Sequence, residues 1–240
     1  MRLRKSVLSP ASLKLILLIL ASMGNIVRMA RYDRAGNVAA AIPALHLNNT
    51  SLAWHRLDDG VMGGMSETLH SSGLDGKDGI CFAGKINTTG GGFASIRSPI
   101  ERLPAEMTGL RIKFRGDGRT YKVLLSDGKS SGPRGGSPSW QVDLPTKKLD
   151  AMEKSQVADL PLSSFLPSFG GRPSLSPEGH SKYGINTNQI RQIGLMLSLK
   201  LSDGSPNPPE TFGKGEFGFS LFVESIETIP LPADRNGGEL

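Results

Sequence analysis

Apolar and polar residues alternate along several short segments of the chain. Between Leu110 and Arg115, every second residue is apolar and the residues between them are cations. A period of two residues is typical of a β-strand that buries one face and exposes the other to solvent. The same pattern predicts strands in Ile80–Ile86, Tyr121–Leu125, Trp140–Leu144, Ile193–Leu201 and Phe217–Val223.

Asp-Gly pairs stand beside these segments, at residues 117–118, 127–128 and 203–204. Glycine there supplies the positive φ angle that tight turns require. No helical pattern of about 10 to 15 residues lies between the strands, as an α/β fold would need. The chain is therefore predicted to be all-β, with a single antiparallel β-sandwich or jelly-roll domain.

Composition supports this prediction. The 240 residues include 30 glycines and 16 prolines, which favours many turns, and 38% of the residues are apolar, enough to build a core. Long loops rich in Gly, Ser and Pro are predicted at Gly128–Ser139 and Gly170–Gly184, with a shorter one at Asp203–Gly215. Such stretches bury little apolar surface, so we expect mobile surface loops.

Residues 1–45 have the character of a targeting region. Residues 1–30 contain no acid, begin with a basic segment and include the apolar run Leu15–Leu20. A secretory signal and a mitochondrial or plastid transit peptide both fit this pattern. The run is far shorter than the roughly 20 residues of a membrane span, so no stable transmembrane segment is expected, and peripheral membrane association stays open. The sandwich domain is predicted over residues 46–230, with a flexible tail at 231–240.

The positive charge of the chain belongs to this N-terminal region. The chain has 28 Lys and Arg residues against 22 Asp and Glu residues. Seven of the basic residues and one of the acids lie within residues 1–34, which leaves 21 of each in the remainder. A neutral body lacks the electrostatic signature of phosphate-backbone binding, so nucleic acid is not expected as a partner.

No pattern typical of catalysis or metal binding stands out. Cys81 is the only cysteine, and the four histidines lack the spacing of metal ligands. Neither a Gly-x-Ser-x-Gly elbow nor a complete phosphate-binding loop is present. The adjacent carboxylates of Asp58 and Asp59 would point to opposite faces of a strand, so turn or capping roles suit them better than paired acid–base chemistry. We expect no enzyme activity, no cofactor and no metal.

Two motifs resemble those of one protein family. Residues 54–66 read Trp-His-Arg-Leu-Asp-Asp-Gly-Val-Met-Gly-Gly-Met-Ser, and residues 91–97 read Gly-Gly-Phe-Ala-Ser-Ile-Arg. In order and spacing both resemble motifs of the complex I intermediate-associated protein 30 family, and weaker similarity extends from Trp54 to Ile229. The resemblance implies a galactose-binding-like β-sandwich, a jelly roll that acts without catalysis.

The resemblance also implies a function. Eukaryotic members of that family look like mitochondrial assembly factors for NADH:ubiquinone oxidoreductase, whereas plastid relatives are associated with photosystem biogenesis. The leading hypothesis is therefore a chaperone-like protein of the mitochondrion that acts by protein binding. Its expected partners are complex I assembly intermediates and other assembly factors.

Candidate binding residues come from the two motifs and from two aromatic positions further along the chain. A structural role stays open beside surface recognition, with Asp59 and Ser66 satisfying turn amides and Arg97 pairing with a buried carboxylate. Trp54 and Trp140 are interpreted as core residues rather than sugar-stacking platforms. The full set is Trp54, Asp58, Asp59, Val61, Met62, Gly63, Gly64, Ser66, Gly91, Gly92, Phe93, Ala94, Ser95, Arg97, Tyr121 and Trp140.

A second hypothesis comes from a different class of protein. Asn-x-Ser/Thr triplets begin at Asn48, Asn49 and Asn87, and together with the apolar leader they suit a carbohydrate-binding module of the secretory pathway. In that case the partner is a glycan. The sequence leaves the organelle open between mitochondrion, plastid and secretory route.

Overall fold

The computed structural model describes residues 31–32, 38–39, 52–74, 77–129, 136–148, 154–174 and 184–231 of the chain. The chain divides into two units, residues 1–43 and 44–240. In the first unit, β1 (Arg31–Tyr32) pairs antiparallel with β2 (Val38–Ala39). The predicted presequence and tail lie almost entirely outside the described residues, so the domain boundaries stay predictions.

The second unit contains two antiparallel β-sheets. In chain order its strands are β3 (His55–Arg56), β4 (Glu67–Leu74), β5 (Lys77–Asn87), β6 (Phe93–Pro99), β7 (Met107–Arg115), β8 (Thr120–Ser126), β9 (Ser139–Pro145), β10 (Gln156–Pro161), β11 (Leu166–Phe169), β12 (Arg172–Pro173), β13 (Gln192–Ser198) and β14 (Glu216–Pro230). One sheet has five strands in the order β10-β7-β14-β5-β4, and the other has seven in the order β12-β11-β9-β8-β13-β6-β3.

Helical structure is confined to short turns in the described part of the chain. Three 3₁₀ turns span Asp59–Met62, Leu162–Ser164 and Thr187–Gln189, and a single α-helical turn, α1, spans Pro209–Phe212. Across the same residues, no helix is long and apolar enough to cross a bilayer.

The core lies between the two sheets and is built from alternate residues of their strands. Phe82 of the five-stranded sheet meets Tyr121 of the seven-stranded sheet edge to face, with ring centroids 6.1 Å apart. Phe219 lies beside Phe82 at 4.9 Å, and all three rings are buried. Such edge contacts add to the free energy gained by burying the rings. The predicted fold class, an all-β sandwich of two antiparallel sheets, is confirmed.

Each segment that alternates in the sequence forms a strand, but the bounds of the last two were wrong, since β14 was predicted over Phe217–Val223 and runs over Glu216–Pro230. The prediction for β13 ran through Ile193–Leu201, whereas β13 ends at Ser198 and Leu199 lies outside it, partly exposed. The sequence pattern missed β4 because its apolar residue Leu69 faces solvent while its polar Thr68 is buried. Edge strands of this kind do not show the expected alternation.

The prediction of a loose surface loop at Asp203–Gly215 was also wrong. Phe212 of α1 is buried in the core. The Asn207 amide donates to the carbonyl of Thr120 at 2.9 Å and to that of Ser198 at 3.0 Å, which ties the segment to the seven-stranded sheet. The other two predicted loops fall mainly outside the described residues and stay predictions.

Replacing Phe82 tests the energetic weight of the aromatic contact between the sheets. Phe82→Ala is expected to lower the free energy of unfolding by about 3 to 5 kcal/mol, because it removes a ring between the sheets and leaves a cavity. Urea denaturation followed by circular dichroism measures this loss. Val157→Ala on the exposed edge strand β10 is the control and should change stability by less than about 0.5 kcal/mol. Equal losses in the two variants would contradict a core position for Phe82.

Candidate functional site

The first family-like motif forms a tight loop between β3 and β4. After β3 the chain makes the 3₁₀ turn Asp59–Met62, which ends at Gly63 with a φ angle of +85°. The Gly63 N–H donates to the Gly60 carbonyl at 3.2 Å, and the Gly64 N–H donates to the Asp59 carbonyl at 3.0 Å. Because few side chains tolerate this φ angle, glycine at position 63 lets the chain reverse here.

A buried carboxylate joins this loop to the second motif. Asp59 has no exposed surface. Its oxygens accept hydrogen bonds from the Ser66 backbone N–H at 2.9 Å and hydroxyl at 2.7 Å, and from the backbone N–H groups of Gly92 at 2.6 Å and Phe93 at 3.3 Å. The sequence interpretation that Asp59 satisfies loop amides is therefore confirmed, whereas the Ser66 hydroxyl accepts from the Asn87 N–H at 3.1 Å, at the end of β5. Asp59 connects two loops that are about thirty residues apart in sequence.

The glycine pairs of both motifs make room for this carboxylate. A Cβ atom on Gly64 would lie 2.2 Å from the Asp59 Cγ, and a Cβ atom on Gly91 would lie 2.2 Å from the Asp59 Oδ2. Both distances are far below van der Waals contact. Glycine is required at positions 64 and 91 because any side chain would displace the carboxylate.

The hydrogen bonds keep Asp59 ionised. Burial by itself works to raise the pKa of Asp59, but the bonds donated by Ser66, Gly92 and Phe93 favour the carboxylate and hold the pKa below its ordinary value. Within the described residues no cation lies within ion-pair distance of Asp59. Neutral donors alone therefore stabilise the charge.

Asp58 forms a second, parallel set of contacts. Its carboxylate accepts from the Thr68 N–H at 2.9 Å and hydroxyl at 2.5 Å, and from the Ser95 N–H at 3.2 Å. The Ser95 hydroxyl donates to the Leu57 carbonyl at 2.6 Å, and the Leu57 N–H donates to the Ser95 carbonyl at 2.8 Å. These bonds fix the start of the loop to β4 and β6, strands that belong to different sheets.

Apolar side chains project into solvent from this fixed framework. Met62 is 70% exposed, Met65 60%, Leu69 62% and Leu57 41%. We call these four residues the methionine surface. Met62 and Met65 lie on the loop, Leu57 lies at its start and Leu69 lies on β4, and several exposed large apolar side chains in one short stretch are typical of a protein-binding surface.

The remaining predicted site residues separate into core and outer-face positions. Ala94, Tyr121 and Trp140 are buried in the core, and Trp54 packs against it, so the interpretation of both tryptophans as core residues is confirmed. Val61 lies in the 3₁₀ turn. Phe93, Ser95 and Arg97 alternate with the core residues of β6 and therefore lie on the outer face of the seven-stranded sheet.

The prediction that Arg97 pairs with a buried carboxylate was wrong. No ion pair or side-chain hydrogen bond of Arg97 occurs within the described residues, and its buried Nε has no partner. The carboxylates close to it in sequence, Asp58 and Asp59, are committed to backbone and hydroxyl donors instead.

Sequence reasoning also missed polar residues buried on the same outer face. Lys122 and Gln141 alternate with core residues of β8 and β9, yet both are buried. The Lys122 Nζ donates to the Gln141 Oε1 at 3.2 Å. A polar position in an alternating strand indicates an exposed side chain unless further structure covers the sheet, and alternation alone does not reveal such a cover. Elsewhere in the described ranges, no group of three or more His, Cys, Asp or Glu side chains is arranged to hold a metal ion.

Comparisons with known proteins agree with the sequence motifs. The family model described as Complex I intermediate-associated protein 30 (CIA30) matches residues 45–222. A comparison with curated proteins found no match. Among solved structures, the chain is similar to the family 11 carbohydrate-binding module of the cellulosomal cellulase Lic26A-Cel5E of Clostridium thermocellum, with 15% identity, a TM-score of 0.48 and coverage of 81% of this chain and 99% of that one. It is also similar to TmCBM61 in complex with beta-1,4-galactotriose, with 9% identity, a TM-score of 0.33 and coverage of 74% and 88%.

Replacing Asp59 tests the link between the two motifs. Asp59→Asn keeps the shape of the side chain but turns an acceptor into an amide donor that faces other donors, so we expect a loss of about 2 to 3 kcal/mol in the free energy of unfolding at neutral pH. The folded pKa of Asp59 is lowered, so its stabilisation is present above about pH 4, the ordinary range of an aspartate, and is lost as the pH falls through the folded pKa. The difference between wild type and Asp59→Asn should therefore shrink in acid.

Urea denaturation of both proteins at a series of pH values measures this dependence. Asp127→Asn is the matched control, since Asp127 accepts from the Lys129 N–H at 2.9 Å in an exposed turn. That substitution should cost less than about 1 kcal/mol. A constant difference between wild type and Asp59→Asn at every pH would show that the charge of Asp59 does not stabilise the fold.

Proposed function

The chain belongs to the complex I intermediate-associated protein 30 family, and we propose that it is a non-catalytic, chaperone-like assembly factor for mitochondrial respiratory complex I. The family match over residues 45–222 supports a role connected with complex I. The proposed action is binding of assembly intermediates, together with other assembly factors, through protein contacts. The observation that carries this proposal is the methionine surface held by Asp58 and Asp59.

The chemistry of the methionine surface suits transient binding of incomplete protein assemblies. Methionine is unbranched and polarisable, so its side chain adapts to irregular apolar partners. Assembly intermediates expose apolar surface that the finished complex buries. Met62 and Met65 offer such a partner adaptable side chains on a backbone that is already fixed, so little backbone entropy is lost on binding.

The hydrogen bonds of Asp58 and Asp59 explain how the methionine surface remains exposed in the free protein. An apolar loop of this kind would bury itself against the core if its backbone were free to move. Ser66 and Gly92 donate hydrogen bonds to Asp59 and so hold the loop against the second motif, and the glycines at positions 64 and 91 leave space for the carboxylate. The surface is thus available for a partner at all times.

Carbohydrate binding receives less support from the structure. Recognition of sugar rings commonly uses exposed aromatic side chains as stacking platforms. Trp140 is buried and Trp54 packs against the core, so neither ring offers an open face of that kind. We therefore retain protein binding as the proposed function.

Substituting the methionine surface tests its role. The double variant Met62→Ser/Met65→Ser is expected to reduce co-purification of complex I intermediates by about tenfold or more, because it removes the apolar side chains at the centre of the surface. Its urea midpoint should stay close to that of wild type, since both side chains are largely exposed. Val157→Ser is the matched control, because Val157 is also 60% exposed but lies on β10, at the opposite edge of the five-stranded sheet from β4. Equal loss of binding in both variants would argue against a specific surface.

Cellular location tests the wider proposal. The tagged full-length protein is expected in mitochondria, and its removal should lower the amount of assembled complex I on native gels. Reintroducing wild-type protein should restore the complex, whereas the double methionine variant should not. Location outside mitochondria, with unchanged complex I after removal, would overturn the proposal. A plastid location with loss of a photosystem would assign the protein to photosystem biogenesis instead.

A further inference from the structure

The outer face of the seven-stranded sheet carries buried polar side chains on adjacent strands. Strand register places Arg97 of β6 opposite Gly194 of β13, Gly194 opposite Leu124 of β8, and Leu124 opposite Gln141 of β9. Lys122 lies on the same face of β8 as Leu124, two residues away. This row therefore contains Arg97, Gly194, Leu124 and Gln141, and Lys122 lies in the next row, opposite Met196 of β13 and Asp143 of β9.

Gly194 determines the path of the Arg97 side chain. A Cβ atom on Gly194 would lie 2.5 Å from the Arg97 Cδ and 3.1 Å from its Nε. The arginine stem therefore lies across the glycine and is directed from β6 toward Leu124 on β8. Only glycine at position 194 leaves this path open.

Among the described residues, no group compensates the charge of Arg97. Its buried Nε has no hydrogen-bond partner, and the described residues provide no ion pair for its guanidinium. Burial alone lowers the pKa of Arg97 to about 10. The side chain as a whole is only partly buried, so the terminal guanidinium nitrogens are open to an anion from solution, and the buried Nε lacks an acceptor.

Other arginines of the same domain show how the chain compensates such charges elsewhere. Arg111 donates two hydrogen bonds of 2.7 Å to Asp159, and Arg119 pairs with Asp117 at 2.5 Å. Arg115 also has buried nitrogens without hydrogen-bond partners, but its guanidinium carbon lies 5.4 Å from the centre of the Phe222 ring, whose face attracts a cation. Arg97 has neither kind of compensation.

Lys122 is a second cation on the same face of the sheet, two residues along β8 from Leu124. It is only 4% exposed, and its Nζ donates to Gln141 at 3.2 Å without forming an ion pair. Burial lowers the pKa of Lys122 to about 8, although the charges of Asp143 and Asp203 act against this shift. The Asp143 Oδ1 is already used by the Ser202 N–H at 2.9 Å and hydroxyl at 2.8 Å.

We propose that the outer face of the seven-stranded sheet binds an oxyanion, a carboxylate or phosphate group, through the guanidinium of Arg97, with Lys122 as the second cation. The planar guanidinium matches both groups through two parallel N–H···O bonds. This site is separate from the methionine surface, which is formed by the β3–β4 loop and β4. It goes beyond the proposed function, and either can fail without the other.

Titration of the full chain with simple anions tests the site. The probes are sodium phosphate and sodium acetate, with sodium chloride at matched ionic strength to account for general screening. The readouts are the Nε–H signal of Arg97 in nitrogen–proton correlation spectra and the thermal midpoint. We expect phosphate, acetate or both to shift that signal and raise the midpoint beyond the effect of chloride. A response to phosphate alone would identify a phosphorylated ligand, and a response to acetate alone a carboxylate ligand.

Variants separate binding from a structural role of Arg97. Arg97→Gln should weaken anion binding by about tenfold or more, since a charge-assisted pair is lost. In the absence of anions, its stability should equal or exceed that of wild type, because an uncompensated charge has been removed. Arg115→Gln is the matched control and should leave anion binding unchanged. The proposal is overturned if neither anion exceeds chloride in wild type, or if Arg97→Gln binds both anions as wild type does.

Discussion

The ionised carboxylate of Asp59 is the interaction on which the local architecture depends. It is buried, and it accepts four hydrogen bonds from two separate loops. Each motif supplies donors, and each supplies a glycine whose missing side chain leaves space for the carboxylate. The Asp-x-Val-Met-Gly-Gly-x-Ser and Gly-Gly-Phe-Ala-Ser patterns are therefore two halves of one hydrogen-bonded unit, which fixes the β3–β4 loop against the start of β6.

This hydrogen-bonded unit includes buried polar residues and exposed apolar residues of the same short motif. The carboxylates of Asp58 and Asp59 accept hydrogen bonds from backbone and hydroxyl donors inside the protein, and the Ser66 hydroxyl is one of these donors. Met62 and Met65 lie between them in sequence but point into solvent. Polar residues thus point inward and apolar residues outward, the reverse of the usual distribution. That reversal is stable only because every buried oxygen of the carboxylates has donors within reach.

The sequence predicted the features that depend on local periodicity. The alternating strands β5, β7, β8, β9 and β14 and the turn glycines were correct because each reflects one buried face or one required φ angle. The role of Asp59 with Ser66 was also accessible, since short polar residues beside glycines commonly satisfy turn amides. The environment of Arg97 was not, because its path depends on Gly194, almost a hundred residues away in sequence. The burial of Lys122 and Gln141 on an outer sheet face was inaccessible for the same reason.

Asp59 lies in the first motif and Arg97 in the second, and the two charged side chains have opposite environments. The Asp59 carboxylate is surrounded by hydrogen-bond donors, and two of them are backbone N–H groups of a different loop. For Arg97, the fold provides space through Gly194 but no acceptor. A charge that only stabilised the fold would be expected to resemble Asp59, because an unsatisfied buried group costs the native state free energy. The contrast indicates that Asp59 maintains the structure, and it agrees with the proposal that Arg97 binds an anion that the described part of the chain does not supply.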